Sequence, residues 1–248
     1  MMPLNQALQG FSSPYFSGIE LELCRYPILA ESKVMTEPVN TQIPISPHFF
    51  CDGMGYVLTS SSLGGSNLTP GQISDIVLDN SADDMTPLLT QGICMPILFD
   101  GDCALDRSTL FVLGDLTPEQ ERDWRARLTW KLRVPCGKLI LLCSCTAEDL
   151  AHAISGRPPT KHFEIFQVID IPPDSYLVEI YAYPSSVTVI MTLDDEEYEE
   201  FEKSIPDKEY DKEGNLILVN YIIRLSSLES EPEMPHLNGS WFDTFTFR

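Results

Sequence analysis

From Leu128 to Val134 the chain alternates: Leu128, Trp130, Leu132 and Val134 are apolar, and Thr129, Lys131 and Arg133 between them are polar. Side chains on a strand point to opposite faces in turn, so this segment predicts a half-buried strand with its apolar set inward. Pro135-Cys136-Gly137 reads as a turn, and Lys138–Cys143 as a returning, wholly buried strand. The two are expected to pair as a β-hairpin. Phe163–Ile171, a Pro172–Ser175 turn and Tyr176–Ala182 repeat the pattern, and Val187–Leu193 is expected to continue the meander. Further strands are predicted at Ile19–Cys24, Ile93–Phe99, Thr109–Leu113, Ile217–Leu225 and Trp241–Phe247, with Asp100-Gly101-Asp102 as a turn.

The two predicted hairpins align, Val134–Leu141 against Ile171–Val178: an apolar residue, proline, a turn, then an apolar strand. The spacing is about 37 residues, and two copies fall short of the three or more that a repeat protein needs. The cadence resembles bacterial β-sandwich families, including some inhibitors of nucleases, over roughly 60 residues of hairpin grammar.

Helices announce themselves through their caps. Thr69-Pro70-Gly71-Gln72 and Thr117-Pro118-Glu119-Gln120 are capping boxes with proline at the first helical position. They predict helices to about Asp79 and Arg125. Asp194 is a third N-cap, with Asp195, Glu196 and Glu197 in the first turn, where the helix dipole favours anions. Tyr198, Phe201 and Ile205 are expected to dock this helix, Glu199, Glu200 and Glu202 to face water, and Pro206 to end it. Asp207–Gly214 then reads as a turn pivoting on Gly214-Asn215. The small, polar run Thr59–Asn67 reads as a mobile loop. Six prolines within residues 1–48 favour loops and edge segments there.

These elements predict an α+β fold, mainly antiparallel and sandwich-like, with two or three short helices. One domain over 1–248 is expected, with a subdivision into 1–115 and 116–248 as the alternative.

Charge narrows the partners. The chain has 248 residues and a net charge of -21, from 16 Lys plus Arg against 37 Asp plus Glu. Nucleic-acid binding needs clustered cations. The densest basic stretch, Arg122 to Arg133, is interleaved with Glu119, Glu121 and Asp123 and reads as a solvated face. No segment approaches the ~20 apolar residues of a membrane span, and Met1–Gly10 has no leader character. Seven cysteines, an odd number with no CxxC pair, are expected as free thiols in a cytoplasmic protein.

No nucleotide, zinc-protease, calcium or hydrolase motif is present, and no cofactor is expected. Cys136, Cys143, Cys145 and His152 fall close enough together to test as a zinc set, though their spacing matches no ribbon or finger. His48, Cys51 and Asp52 could supply a nucleophile, a base and an orienting acid. The alternative is a core cysteine beside a strand edge. Paired carboxylates are too numerous to single out. From Asp194 to Glu213 there are eleven acids against three lysines. A solvated helix face explains such a run, and so does a docking surface for a basic protein. The expected function is protein binding or inhibition, immunity-like, through the acidic surface near 195–213 at Glu199, Glu200 and Glu202. The alternative is an enzyme, such as a hydrolase with a cysteine or carboxylate site.

Overall fold

A computed structural model describes residues 40–79, 81–143, 145–205 and 218–248. The predicted strand at Ile19–Cys24, most of the proline-rich start and the turn over Asp207–Gly214 lie outside them. The chain begins with β1 (Thr41–Pro44), β2 (Gly55–Ser60), a 3-10 turn (Leu63–Gly65), α1 (Pro70–Leu78) and α2 (Ala82–Thr90). There follow β3 (Cys94–Leu98), β4 (Thr109–Leu113), α3 (Pro118–Asp123), β5 (Ala126–Val134), β6 (Lys138–Cys143) and α4 (Ala147–Ile154). The remainder is β7 (Phe166–Asp170), β8 (Asp174–Ala182), α5 (Val187–Ile190), α6 (Asp195–Ser204) and β9 (Tyr221–Ser227). Three two-residue strands close the chain: β10 (Leu237–Asn238), β11 (Trp241–Phe242) and β12 (Thr246–Phe247).

The fold is α+β. One six-stranded sheet runs β1-β4-β9-β8-β5-β12 and the other β10-β11-β3-β2-β6-β7. Pairing is antiparallel except for β4 with β9 and β11 with β3. Each sheet draws strands from both sides of Gly114. The sheets share one core, in which Trp130, Tyr56, Phe166 and Phe242 are buried. Each such side chain contributes roughly 1.5–3 kcal/mol through burial. Both threonine capping boxes form, Thr69 with Gln72 and Thr117 with Gln120.

The hairpins are where the structure departs most from expectation. The four strands exist at their predicted places, but β5 does not pair with β6, nor β7 with β8. Instead β5 lies against β8 from Ala126–Ala182 to Val134–Asp174, in the first sheet. β6 pairs with β2 and β7 in the second. The chain therefore crosses between sheets at Pro135–Gly137 and crosses back at Ile171–Pro173. Proline has no N–H to continue a ladder, so both sites suit a change of sheet. Gly137 N closes the first crossing by donating to Val134 O at 3.1 Å, and Ile171 N bonds the second crossing to it by donating to Gly137 O at 3.0 Å. Alternation settles which face of β5 is buried, and it carries no information about the neighbour.

Other corrections are local. Val187–Leu193 is not a strand; its start forms α5, because the buried Ser186 accepts a hydrogen bond from Val189 N at 3.4 Å and overrides the β-branched residues. Trp241–Phe247 splits, β11 joining the second sheet and β12 the first. The supposed mobile loop after Thr59 is partly core. Thr59 Oγ1 donates to Ile93 O at 2.8 Å, and Ser60 Oγ accepts from Gly64 N at 2.8 Å. Small polar residues are tolerated inside when so satisfied. Six helices, not two or three, occur among the described residues; α2 and α4 gave no sequence signal strong enough to be read. Cys51 and Cys143 are not free thiols but a disulfide.

Gly137 has a φ of 70°, and a Cβ there would sit 2.8 Å from Ile171 O; Gly156, at 74°, has open space around it. A left-handed L-residue costs about 1–2 kcal/mol at either position. Gly137→Ala should cost at least about 1 kcal/mol more than Gly156→Ala, since overpacking adds its own penalty. Urea denaturation of the two variants measures the difference; equal losses would mean that the crossings do not touch.

Candidate protein-binding surface

α6 forms as its sequence dictates. Asp194 Oδ1 accepts from Glu196 N at 3.0 Å and Glu197 N at 2.9 Å, and Glu197 Oε2 returns an acceptor to Asp194 N at 3.1 Å. Asp195, Glu196, Glu197, Glu199, Glu200 and Glu202 are all exposed. The one ion pair of this helix among the described residues is Lys203–Glu199 at 3.9 Å, with both partners about three-quarters exposed. Such a pair contributes little. The acidic stretch expected through Glu213 is described only as far as Ile205.

The docking side of the helix is thinner than its spacing suggests. Phe201 and Ile205 are half-buried, but Tyr198 remains 43% exposed, and no residue of α6 is buried. Phe201 lines two grooves. One, of about 300 Å³, is lined by Arg125, Val189, Leu193, Phe247 and Arg248 beside it. The other, of about 470 Å³, includes Tyr183, Ile205, Val219 and Ile222. Phe247 and Met191 are exposed nearby. Carboxylates therefore border partly apolar hollows, the pattern of an apolar centre with a polar rim found in protein interfaces. Sequence reasoning missed Leu193 and Phe247 because both were placed in strands, where apolar residues are expected to be buried.

Several cations pair away from α6, while Arg125 and Arg248 line the groove beside it. On the first sheet, the buried Glu179 accepts from Arg127 at 3.0 Å and from Arg224 at 2.7 Å, and Arg224 also reaches Asp115 at 2.7 Å. Arg127 and Arg248 both lie over the Trp124 ring, at 5.6 and 4.7 Å. Arg122 pairs with Asp123 at 2.7 Å.

The remaining candidates are scattered or committed. Cys51 is bonded to Cys143, which removes the thiolate a nucleophile requires. His48 packs edge-on against His162, and Asp52 is exposed. None of His48, Cys51 and Asp52 lines either groove. Of the zinc set, Cys143 is in the disulfide and burial pushes the Cys145 thiol up to about 12. His152 Nε2 lies 3.2 Å from Pro158 O. At Cys136 partial burial pushes the thiol up, but hydrogen bonds from Ser61, Ser62 and the backbone outweigh it and bring it down to about 7. Among the described residues no group of three or more His, Cys, Asp or Glu is placed to hold a metal, and no helix is long and apolar enough to cross a membrane.

No protein family and no curated protein matches the chain. Among solved structures it is similar to one described as crocagin biosynthetic gene J, with 15% identity over 77% of this chain and 97% of that one, at a TM-score of 0.35. It is also similar to ComJ of Bacillus subtilis, an inhibitor of the DNA-degrading activity of NucA, with 10% identity over 78% of this chain and 100% of that one, at 0.31. Both are distant, and neither assigns a role to any residue here.

Asp194→Ala should weaken α6 by about 0.5–2 kcal/mol, the usual value of an N-cap. Amide hydrogen exchange across 195–204 should accelerate while β5 and β8 remain protected; unchanged exchange in α6 would show that its cap is not holding it. The disulfide closes a loop across a separation of 92 residues. Replacing Cys51 and Cys143 together with serine should lower stability by about 2–5 kcal/mol, measured by urea denaturation. A variant as stable as the parent would exclude the bond as a staple.

Proposed function

We propose that this protein binds, and through binding inhibits, a basic protein partner, with α6 as the docking element. The observation that supports this reading is the exposure of six carboxylates on one ten-residue helix, of which Glu197 lines a partly apolar hollow. Fixed charge of one sign steers an oppositely charged partner during encounter and sets its orientation. Apolar contact at Phe201 and Phe247 then supplies the burial that charge alone does not. Glu199, Glu200 and Glu202 carry the steering, since all three are exposed on the helix.

The test is affinity capture from the native host with wild-type protein and the triple variant Glu199→Lys, Glu200→Lys, Glu202→Lys. Basic proteins should be retained by the wild type at low salt and released as the Debye length falls from ~10 Å at 0.1 M to ~3 Å at 1 M. The variant should retain at least tenfold less of them. The same partners recovered equally by both proteins would sink the reading.

A further inference from the structure

We propose that His48 and His162 form a two-imidazole site for a divalent transition-metal ion of the zinc or nickel class. The pair does not depend on α6 or on any partner.

The two rings belong to segments that the fold clamps together. Phe49, which is buried, bridges Glu164 in parallel register. Phe50 N donates to Glu164 O at 2.8 Å, and Glu164 N donates to His48 O at 3.0 Å. Beside the histidines, Phe50 and Phe163 pack with centroids 5.1 Å apart. Each histidine thus sits next to an aromatic residue that ties its segment to the other.

His162 occupies an unusual backbone position to get there. Its φ is 64°, the left-handed region, in a turn closed by Phe163 N donating to Thr160 O at 3.1 Å. A non-glycine residue pays about 1–2 kcal/mol for that conformation, and such strain gathers at functional positions. What the conformation achieves is a ring placed 4.7 Å, centroid to centroid, from His48.

That separation suits a shared ion. A tetrahedral zinc binds imidazole nitrogen at about 2.0–2.1 Å, which sets the centroids of two ligand rings at about 5 Å. The observed spacing of 4.7 Å is close to it, but the rings meet edge to face at an interplanar angle of 88°, so one exposed ring has to turn about its own side-chain bonds to bring its nitrogen to the ion. Imidazole is the ligand preferred by zinc, nickel and copper over calcium or magnesium. Both rings are exposed, so an ion can enter, and the net charge of -21 draws cations to the surface. With two protein ligands, two positions of the tetrahedron are left for water.

The experiment is calorimetric titration of the full chain with zinc chloride alone, and separately nickel chloride, near neutral pH. One ion per chain should bind, and His48→Gln and His162→Gln should each weaken binding at least tenfold. His152→Gln, His236→Gln and Cys136→Ser should bind as the parent does. His162→Gly guards against misfolding, because glycine accepts the left-handed backbone; it should keep its circular dichroism spectrum and melting temperature and still lose the ion. Absence of binding to the parent, unchanged binding in His162→Gly, or loss confined to the His152 or Cys136 variants would each overturn the site.

Discussion

The two sheets are joined at a corner where the chain changes sheet twice. The bond from Ile171 N to Gly137 O holds the return crossing against the outward one. It is possible because Gly137 has no side chain to intrude and adopts a left-handed backbone. From that corner, β5 runs into one sheet beside β8, and β6 into the other beside β7. The inward faces of both pairs then meet as the core, with Trp130 donating to Leu89 O at 3.2 Å to settle its indole N–H. The disulfide from Cys51 to Cys143 ties the far end of β6 to the segment that carries His48.

Charge is divided as sharply as the sheets. Much of the scarce positive charge is spent inward or sideways: Arg127 and Arg224 on Glu179, Lys131 on Glu231, Lys138 on Asp170. Lys131 and Glu179 are among the buried residues, so their pairs brace the first sheet, whereas the exposed Lys138–Asp170 pair joins β6 to β7 in the second. α6, in contrast, is left with a single loose lysine among the described residues. Six exposed carboxylates thus stand on a helix anchored by little more than Phe201 and Ile205.

What the sequence revealed and concealed follows from the range of each signal. The N-caps at Thr69, Thr117 and Asp194 act over three residues, and all three are in place. Period-two alternation placed β5 and correctly turned Trp130 and Val134 inward. It could not name their partner, because pairing is decided by contacts across dozens of residues. Ser186 and Ser60 misled for a different reason. Each is a small polar residue whose hydroxyl finds a backbone partner only in the finished structure. The disulfide was hidden by its 92-residue separation and by an odd cysteine count. At the candidate surface, the exposed glutamates were legible and the hollow beside them was not, since Leu193 and Phe247 look like core residues until their neighbours are known.

The paired crossings also bear on how the chain reaches its fold. A hairpin can form alone, from residues adjacent in sequence, within microseconds. Here the local option is refused twice: β5 must wait for β8 and β6 must wait for β2 and β7, while β4 must find β9. Loop closure is therefore required before most of the sheet can be rewarded, which places this protein among slow folders of high contact order. The same short apolar strands stay unpaired until then, so dilute conditions during refolding favour the native sheets over pairing between chains.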